Sequence, residues 1–323
     1  MARIFVTGGA GFIGSAFVRH LLATSDDHIT VFDALTYAGR RENLEPLLDD
    51  PRVTLIVGDV ANRDEVRGAI GGHDYVAHLA AESHVDRSLL DPDVFIRTNC
   101  VGTNVVCDEA NQAGVQRFLH VSTDEVYGSI TTGAFSEQDP LTPSSPYSAS
   151  KASSDLIALS HHTSNNLDVV VTRSSNQFGP RQFPEKLIPL FITTLVGGGN
   201  VPVYGDGTNV RDWLFVEDNC AALDAVMRNG ETGTIYNIAG HNERTNLEVV
   251  DALLDCMGLD RSRIEFVQDR PGHDYRYAIT TTRTNNLNIA PTRAFEPALE
   301  QTVRWYLDNK QWWAPLTTLV RNR

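Results

Sequence analysis

The 323 residues of the chain suffice for one large domain or two smaller ones, and 41% hydrophobic with 21% charged residues excludes a disordered protein. The 41 acidic residues outnumber the 27 basic ones and give a net charge of -14, which argues against nucleic-acid or anionic-membrane binding as the main role. An anionic ligand must therefore meet a local cluster of positive charge.

The cysteines and the N-terminus indicate the cellular compartment. The four cysteines lack CxxC spacing and nearby histidine pairs, so neither a zinc site nor a disulfide framework is predicted. A strand pattern begins at the N-terminus without a basic segment that leads into an apolar run, and no later run reaches membrane-spanning length. We expect a cytoplasmic protein with reduced thiols at Cys100, Cys107, Cys220 and Cys256.

Short apolar runs recur in the first half of the chain, separated by segments long enough for crossover helices. This alternation predicts an α/β fold with a Rossmann-type, doubly wound parallel sheet. Strands of such a sheet are buried on both faces and are nearly continuously apolar. The runs are residues 3–7, 29–32, 53–57, 75–79, 118–121 and 169–172.

A glycine-rich segment follows the first predicted strand and opens an apolar helix. Gly8, Gly11 and Gly14 have GxxGxxG spacing, which permits a tight turn, close approach to a pyrophosphate and tight packing of helix on strand. With Phe12 and Ile13 they form the helix start, whose partial positive charge favours phosphates. A purely structural turn is the alternative, but the position between strand and helix favours dinucleotide binding.

Two aspartates end the second and third predicted strands. Asp33 lies about 20 residues after the glycine loop, where a carboxylate accepts hydrogen bonds from the adenosine ribose and repels a 2'-phosphate. The sequence thus favours NAD over NADP, although Arg40 and Arg41 stand in the loop that follows. Asp59 either bonds the adenine amino group or forms an Asx turn, and both alternatives stay open.

Adjacent carboxyl groups end the fifth predicted strand. A neutral acid beside an ionised base can remove water from a sugar, and the mutual repulsion of Asp124 and Glu125 favours opposite protonation states. The alternative is a helix N-terminus, with Thr123 as the cap and both acids facing the helix dipole. The neighbouring motifs favour the chemical role.

Tyr147 and Lys151 are four residues apart and share one face of a predicted helix. The unperturbed pKa of a phenol is about 10, whereas an adjacent ammonium and an oxidised nicotinamide both favour phenolate. Tyr147 can then accept a sugar hydroxyl proton as hydride passes to NAD, with Thr123 bonded to the same oxygen. His161 and His162, further along this helix, are expected at the surface.

The regular alternation loosens after about residue 174, where loops rich in glycine and proline separate shorter elements. This pattern predicts a smaller C-terminal lobe that caps the sheet. Trp305, Trp312 and Trp313 are expected to pack against this lobe. We assign residues 1–174 with part of 210–240 to the NAD-binding domain and residues 175–209 and 241–323 to the second lobe.

Several longer motifs accompany these features, and with them the chain resembles the extended short-chain dehydrogenase/reductase superfamily, specifically the dTDP-glucose 4,6-dehydratase family. The resemblance runs from residue 2 to about residue 280. Nucleotide-sugar epimerases and decarboxylases share the glycine loop and the YxxxK pair, whereas the adjacent acids distinguish the dehydratases. The motifs are GGAGFIGS from residue 8, HLAAESHVDRS from 78, TDEVYG from 123, YSASK from 147, QFPEKLIP from 182, YGDG from 204, VRDW from 210 and RPGHD from 270.

The resemblance implies a redox-neutral dehydration of a nucleotide sugar. Tyr147 takes the proton of the sugar 4-hydroxyl while the C4 hydride goes to NAD, which gives a 4-keto sugar. Glu125 then removes the acidified C5 proton, and Asp124 as a neutral acid protonates the departing C6 hydroxyl. Hydride returns to C6 and a proton to C5, so the product is a 4-keto-6-deoxy sugar.

The resemblance also implies that residues 175–209 and 241–323 form the nucleotide-sugar-binding lobe. It further implies eight side chains that hold the substrate. Cations drawn from distant segments can bind a diphosphate despite the negative net charge, although each alone fits a solvated surface position equally well. Asn246 has helix capping as its alternative. The eight are Lys186 and Arg211 near the diphosphate, Arg270 and His273 over the nucleotide, Asn176 at the phosphate or sugar, Ser83 and His84 in the sugar pocket, and Asn246 at the nucleotide.

The chain departs from the family pattern at two places. Gln177 and Phe178 stand where asparagine and tyrosine are common, so substrate contacts there are expected to shift. Residues 280–283 and 287–291 replace an acidic residue and a Leu-Gly-Trp-Pro type of segment, which affects nucleotide selection and C-terminal packing. The proposed catalytic residues all match.

Two other functions are compatible with parts of this pattern. A 4-epimerase would return hydride to C4 without loss of water and would not need both acids. A dinucleotide-sensing binding protein could share the fold but would not need Tyr147 and Lys151.

Helices predicted at residues 99–112 and 148–160 alternate small and apolar residues. The family pairs such helices between subunits, so a homodimer is expected.

Overall fold

The computed structural model describes residues 1–269 and 274–321, and the predicted site residues Arg270 and His273 lie outside them. The strands are β1 Arg3–Thr7, β2 His28–Asp33, β3 Val53–Val57, β4 Tyr75–His78, β5 Arg117–Thr123, β6 Val169–Ser174, β7 Asn176–Phe178, β8 Val201–Tyr204, β9 Val210–Phe215, β10 Thr234–Ile238, β11 Glu243–Thr245 and β12 Ile264–Val267. The helices are α1 Phe12–Thr24, α2 Arg63–Ile70, α3 Val85–Leu90, α4 Pro92–Phe95, α5 Thr103–Gln112, α6 Pro146–Asn165, α7 Leu187–Val196, α8 Val216–Asn229, α9 Asn246–Met257, α10 Thr282–Asn286, α11 Phe295–Asp308 and α12 Lys310–Arg321.

The central feature is a seven-stranded parallel sheet with the order β10-β6-β5-β4-β1-β2-β3. The six strands predicted from apolar runs are all present in it, and the predicted α/β Rossmann-type class is confirmed. From β1 the chain proceeds outward to β2 and β3 and then returns to place β4 on the other side of β1. The carboxyl ends of β1 and β4 therefore border the crevice in which such sheets bind ligands.

Helices cover both faces of this sheet because each strand is apolar on both sides. Along β1, Ile4 and Val6 belong to a core formed with α1 and α8, whereas the intervening Phe5 belongs to a core beneath α2, α5 and α6. Side chains alternate between faces along a strand, so one short apolar run serves two cores. This packing fixes the strand ends that carry the site.

The second half of the chain builds a separate apolar core. The small sheet β11-β9-β7 and the pair β12-β8 pack with α7, α9 and α11 around Trp213, Phe295 and Tyr306. The three C-terminal tryptophans pack in this region as expected, Trp313 buried and Trp305 and Trp312 partly buried. In contrast, α8 and β10 return to the large sheet. The exact division into two domains stays a prediction.

Three observations bear on the remaining expectations. The four cysteines are free thiols. Within residues 1–269 and 274–321, no helix combines the length and apolar character needed to cross a membrane. The expectation that His161 is a surface residue is wrong: it is 8% exposed, and its Nε2 lies 3.2 Å from Asn104 Oδ1, because this face of α6 packs against α5.

Candidate active site

The glycine loop forms a cradle that side chains would fill. Gly8 has φ of +68°, and a Cβ there would lie 2.6 Å from the Ala80 backbone. A Cβ at Gly14 would lie 2.1 Å from the carbonyl oxygen of Gly8. The N-cap of α1 is Gly11, which offers no capping side chain, so the first amides of the helix are not bonded by one. The cradle therefore fits a pyrophosphate group.

Asp33 and Asp59 lie where the sequence predicts them, each already in local hydrogen bonds. Asp33 is buried and accepts from the amides of Ala10 at 2.9 Å and Leu35 at 2.8 Å. Burial raises its pKa. A carboxylate has about four lone-pair positions, so two remain for ribose hydroxyls. Asp59 forms the Asx turn with the Ala61 amide at 2.8 Å and an ion pair with Arg97 at 2.6 Å.

A cleft of about 400 Å³ runs along the carboxyl ends of β1, β2, β4 and β5 and brings most of the predicted site residues together. Residues from the glycine loop and from the acid motif, which are more than a hundred positions apart in sequence, face the same space. The predicted residues that line it are Gly8, Gly11, Phe12, Ile13, Gly14, Asp33, Asp59, Ser83, Thr123, Asp124, Glu125, Tyr147, Lys151, Asn176 and Lys186.

The adjacent acids follow β5 directly. Asp124–Tyr127 forms a single 3-10 turn, and Thr123 caps it by accepting a 3.3 Å hydrogen bond from the Glu125 amide. Thr123 is therefore a cap, as the alternative interpretation of the sequence predicted, and both acids also lie in the cleft. Asp124 is 2% exposed, and its burial, followed by the charges of Glu125 and Asp212, raises its pKa well above the usual range. The structure therefore favours the protonated, neutral form of this acid.

Tyr147 and Lys151 project from the start of α6 into the same cleft. Ser145 caps the helix in a capping box with Ser148, which fixes its first turn. Burial and the charge of Glu125 raise the pKa of Tyr147, and a hydrogen bond from Thr123 opposes this rise. The protein's own groups thus favour the phenol, and the predicted phenolate depends on the positive charge of the oxidised nicotinamide as well as on the neighbouring ammonium.

Arg211 approaches the acids from the second lobe. Its guanidinium lies 4.4 Å from the centre of the Tyr277 ring and donates to the Asp274 carbonyl at 2.9 Å. Its charge lowers the pKa of Asp124, whereas the charge of Asp212 raises it. The sequence analysis missed Tyr277 and Asp212. Asp212 belongs to the VRDW motif, and Tyr277 lies three positions beyond RPGHD, but the interactions of Asp212 with Asp124 and of Tyr277 with Glu125 arise only on folding.

Ser83, His84 and Lys186 lie close together at one rim of the cleft. Lys186 Nζ donates to the Ser83 carbonyl at 2.7 Å, and its charge, after burial, helps to lower the pKa of His84 to about 4. His84 is the N-cap of α3 and accepts from the Arg87 amide at 3.4 Å, so it lies beside the cleft and not in its lining.

A second cluster that the sequence analysis missed borders this rim. The Arg87 guanidinium lies 3.5 Å from the centre of the Tyr37 ring and 3.9 Å from Glu185. Tyr37, Glu82 and Glu185 line the cleft. Glu185 belongs to the QFPEKLIP motif, and this motif was the signal in the sequence that could have indicated a site residue here.

The departures from the family pattern at positions 177 and 178 differ in their consequences. Gln177 lines the cleft, and its Oε1 accepts from Asn219 Nδ2 at 2.8 Å. Phe178 is 1% exposed and packs against Trp213 and Phe295 in the second core. Substrate contacts are therefore expected to shift at Gln177 and not at Phe178.

Asn246 does not cap α9. Thr245 is the cap, in a capping box with Glu248, and Asn246 is the first residue of the helix. Asn246 lies outside the cleft lining.

The C-terminal region that departs from the family pattern is bonded to β10. Thr284 donates to the Asn237 carbonyl at 2.9 Å, and Arg283 donates to the Ile235 carbonyl at 2.9 Å.

The parallel sheet, the glycine cradle and the Tyr147 and Lys151 pair define an extended short-chain dehydrogenase/reductase, as the sequence predicts. A family model described as GDP-mannose 4,6 dehydratase matches residues 5–302, and the chain belongs to this family. A dTDP-glucose 4,6-dehydratase of Streptomyces griseus is 52% identical over 318 residues, which cover 97% of each chain.

Two further proteins are similar over nearly their whole length. The low-salt glycan biosynthesis protein Agl12 of Haloferax volcanii is 50% identical over 308 residues, which cover 95% of this chain and 99% of that protein. The crystal structure of DesIV, a dTDP-glucose 4,6-dehydratase from Streptomyces venezuelae with NAD bound, superimposes with a TM-score of 0.95 at 49% identity and covers 97% of this chain and 99% of that one.

Proposed function

We propose that this protein is an NAD-dependent dTDP-glucose 4,6-dehydratase, a carbon-oxygen hydro-lyase of deoxysugar biosynthesis that produces dTDP-4-keto-6-deoxyglucose. The observation that carries the proposal is the presence of Asp124 and Glu125 in one cleft with Tyr147 and Lys151. A redox pair alone would serve several nucleotide-sugar enzymes, whereas adjacent acids add the means to eliminate water. The similarity to enzymes of this name supports the choice of nucleotide and sugar.

NAD, when bound, supplies an acceptor for the sugar C4 hydride, a donor that returns it to C6, and the positive charge of the oxidised ring. The glycine cradle and the amides of Phe12 and Ile13 hold the pyrophosphate. Asp33 and Asp59 hold the adenosine end. A 2'-phosphate beside the buried Asp33 carboxylate would be repelled, which is the physical reason for NAD over NADP.

The oxidation of C4 needs a base that takes the proton of the 4-hydroxyl. Tyr147 fills this role once positive charge offsets the burial and the Glu125 charge that raise its pKa. Lys151 lies one turn further along α6 and contributes such charge, while Thr123 hydrogen-bonds the phenol oxygen. The neutral state of Asp124 keeps a second negative charge away from the developing phenolate.

The elimination of water needs an acid and a base on neighbouring atoms. The C4 ketone acidifies the C5 hydrogen, which the Glu125 carboxylate removes, and Asp124 donates its proton to the departing C6 hydroxyl. The raised pKa of Asp124 favours the protonated form that this step requires. A proton then returns to C5, and the overall reaction is redox-neutral.

The nucleotide sugar is held by side chains from both lobes. Lys186 and Arg211 hold the diphosphate: Lys186 lines the cleft, and Arg211 lies near enough to Asp124 for its charge to lower the pKa of that acid. Asn176 has a buried Oδ1 without a hydrogen-bond partner among the described residues, as fits a group that meets substrate. The remaining assignments are Ser83 and His84 at the sugar and Asn246, Arg270 and His273 at the nucleotide.

Two aspects of the cellular form belong to the proposal. A homodimer is supported by exposed apolar side chains at Leu90, Ile96 and Leu156 on helices that pack together. A cytoplasmic location is supported by the free thiols, since oxidising compartments favour disulfides.

Incubation of the purified protein with NAD and dTDP-glucose in heavy water tests the function. We expect a 4-keto product whose C6 is a methyl group and whose C5 carries solvent deuterium, observed by NMR. UDP-glucose and GDP-mannose, incubated in parallel, are expected to react more slowly. A 4-epimer that retains its C6 hydroxyl, or absence of a dehydrated ketone with all three substrates, would contradict the proposal.

A further inference from the structure

The face of α6 that carries the redox pair carries a third ionisable residue. Tyr147, Lys151 and Asp155 are spaced four positions apart and follow one another along the helix. Asp155 is completely buried, with no exposed surface. An ionised carboxyl group is costly to bury unless charges and hydrogen bonds compensate it, so its position requires an explanation.

The partners of Asp155 keep it ionised. Arg173 Nε on β6 donates to its Oδ2 at 2.9 Å, and His120 Nε2 on β5 lies 3.2 Å from its Oδ1. Ser122, at the end of β5, also helps to lower the pKa of Asp155. Together these partners outweigh burial and lower the pKa of Asp155. The network ties α6 to the two strands that lie behind the cleft.

Lys151 is 5% exposed and lies one helical turn from Asp155. Its Nζ donates to the Val121 carbonyl at 2.7 Å, and burial lowers its pKa to about 8. The charge of Asp155 opposes this fall. A pKa near 8 leaves little margin before the ammonium is lost at neutral pH.

Three other titratable groups on neighbouring elements interact with Lys151, and all three are uncharged at pH 7. Burial raises the pKa of Cys100, on the π-helical segment Ile96–Gly102, and lowers the pKa of His78 on β4 and of His120 on β5. Of the groups named, Asp155 thus supplies the negative charge that acts on Lys151.

We propose that Asp155 is a positioning residue of this reaction, whose buried carboxylate keeps Lys151 in its ammonium form and fixes α6 behind the redox pair. The catalytic importance of Lys151 rests on the proposed function, but the effect of Asp155 on its protonation does not. The charge of Asp155 also raises the pKa of Tyr147, which disfavours the phenolate that the reaction needs. Titration of Lys151 itself is therefore the deciding readout.

The sequence makes this titration direct because it contains only three lysines, Lys151, Lys186 and Lys310. In protein labelled with carbon-13 lysine, three Cε signals are expected, each assigned by a lysine-to-arginine substitution. In cofactor-free wild type the Lys151 midpoint is expected near pH 8. In Asp155→Asn it is expected about one pH unit lower or more, with the midpoints of the other two lysines unchanged.

Asp168→Asn is the matched control, because Asp168 also pairs with an arginine, Arg117 at 2.8 Å, and is not part of the α6 network. It is expected to leave the Lys151 midpoint in place. Should Asp155→Asn not fold, the double variant Asp155→Asn, Arg173→Gln, which removes both buried charges, is titrated instead and compared with Arg173→Gln. A Lys151 midpoint equal to that of wild type in folded Asp155→Asn, or equal to that of Arg173→Gln in the double variant, would overturn the proposal. Failure to dehydrate any nucleotide sugar would overturn only the proposed function.

Discussion

Asp124 links stability to catalysis at the level of one side chain. Its Oδ2 is buried and has no hydrogen-bond partner among the described residues, and burial raises its pKa above the unfolded value. The folded state therefore favours the protonated acid. This contribution to stability is fully present below the unfolded pKa and is lost as the pH rises through the folded pKa.

Replacement of Asp124 by asparagine tests this linkage. We expect Asp124→Asn to raise Tm at neutral and alkaline pH and to flatten the loss of stability on the alkaline side, while kcat falls about 10²- to 10⁴-fold. Thermal unfolding of cofactor-free protein across a pH series measures the first effect. Asp139→Asn should instead lower Tm near pH 7, because hydrogen bonds from Ser136 lower the pKa of Asp139. A lower Tm for Asp124→Asn throughout the series would contradict the account.

The glycine cradle allows a second prediction for a single residue. Gly14→Ala is expected to abolish NAD binding and to destabilise the fold, because the new Cβ would lie 2.1 Å from the backbone oxygen of Gly8. Gly68→Ala in α2 is the control: its Cβ meets nothing within 4 Å, so a gain of about 0.5 to 1 kcal/mol in the free energy of unfolding is expected. Calorimetry with NAD and chemical denaturation measure both. Unchanged NAD affinity in Gly14→Ala would be inconsistent with the cradle.

At the scale of elements, the start of α6 positions the catalytic base. Ser145 caps the helix two residues before Tyr147. Ser145→Ala is expected to cost about 1 kcal/mol of unfolding free energy and to reduce kcat more than it changes KM. In the comparison variant Asp260→Ala, a cap at residues 261–263 away from the cleft is lost, and kcat is expected to stay unchanged. Equal kcat losses in the two variants would show that helix capping at α6 has no special catalytic role.

The sequence predicted those elements whose structure follows from local pattern. Buried parallel strands are apolar throughout and short, so the six strands of the large sheet were found with ends correct to within about two residues. The acids, the phenol and the lysine were found because chain-adjacent or helical spacing already places them together.

What the sequence could not supply were contacts made by folding. Asp212 interacts with Asp124, and Tyr277 with Glu125, only because folding brings segments that are distant in sequence to the adjacent acids. His161 was misassigned because helical position does not reveal which faces pack on α5. Phe178 was taken as a possible substrate contact, whereas the structure places it in the second core.

At the scale of the molecule, an exposed apolar surface predicts self-association. Leu90 is 82% exposed on α3 and Leu156 is 61% exposed on α6, and the two helices pack together. Such a patch is typical of an interface. We expect Leu90→Glu with Leu156→Glu to convert a dimer to monomers in light scattering. Leu307→Glu, at a 51% exposed leucine on α11, should leave the dimer intact. A wild type that is monomeric at micromolar concentration would rule out this assembly.

In the proposed reaction, hydride leaves C4 and returns to C6 of the same sugar while the adjacent acids remove water. The most direct measurement uses dTDP-glucose that carries deuterium at C4, with the product analysed by NMR and mass spectrometry. We expect a 4-keto-6-deoxy product that retains the label in its C6 methyl group. Label that returns to C4 in a sugar with an intact C6 hydroxyl, or a dehydrated product without label at C6, would contradict it.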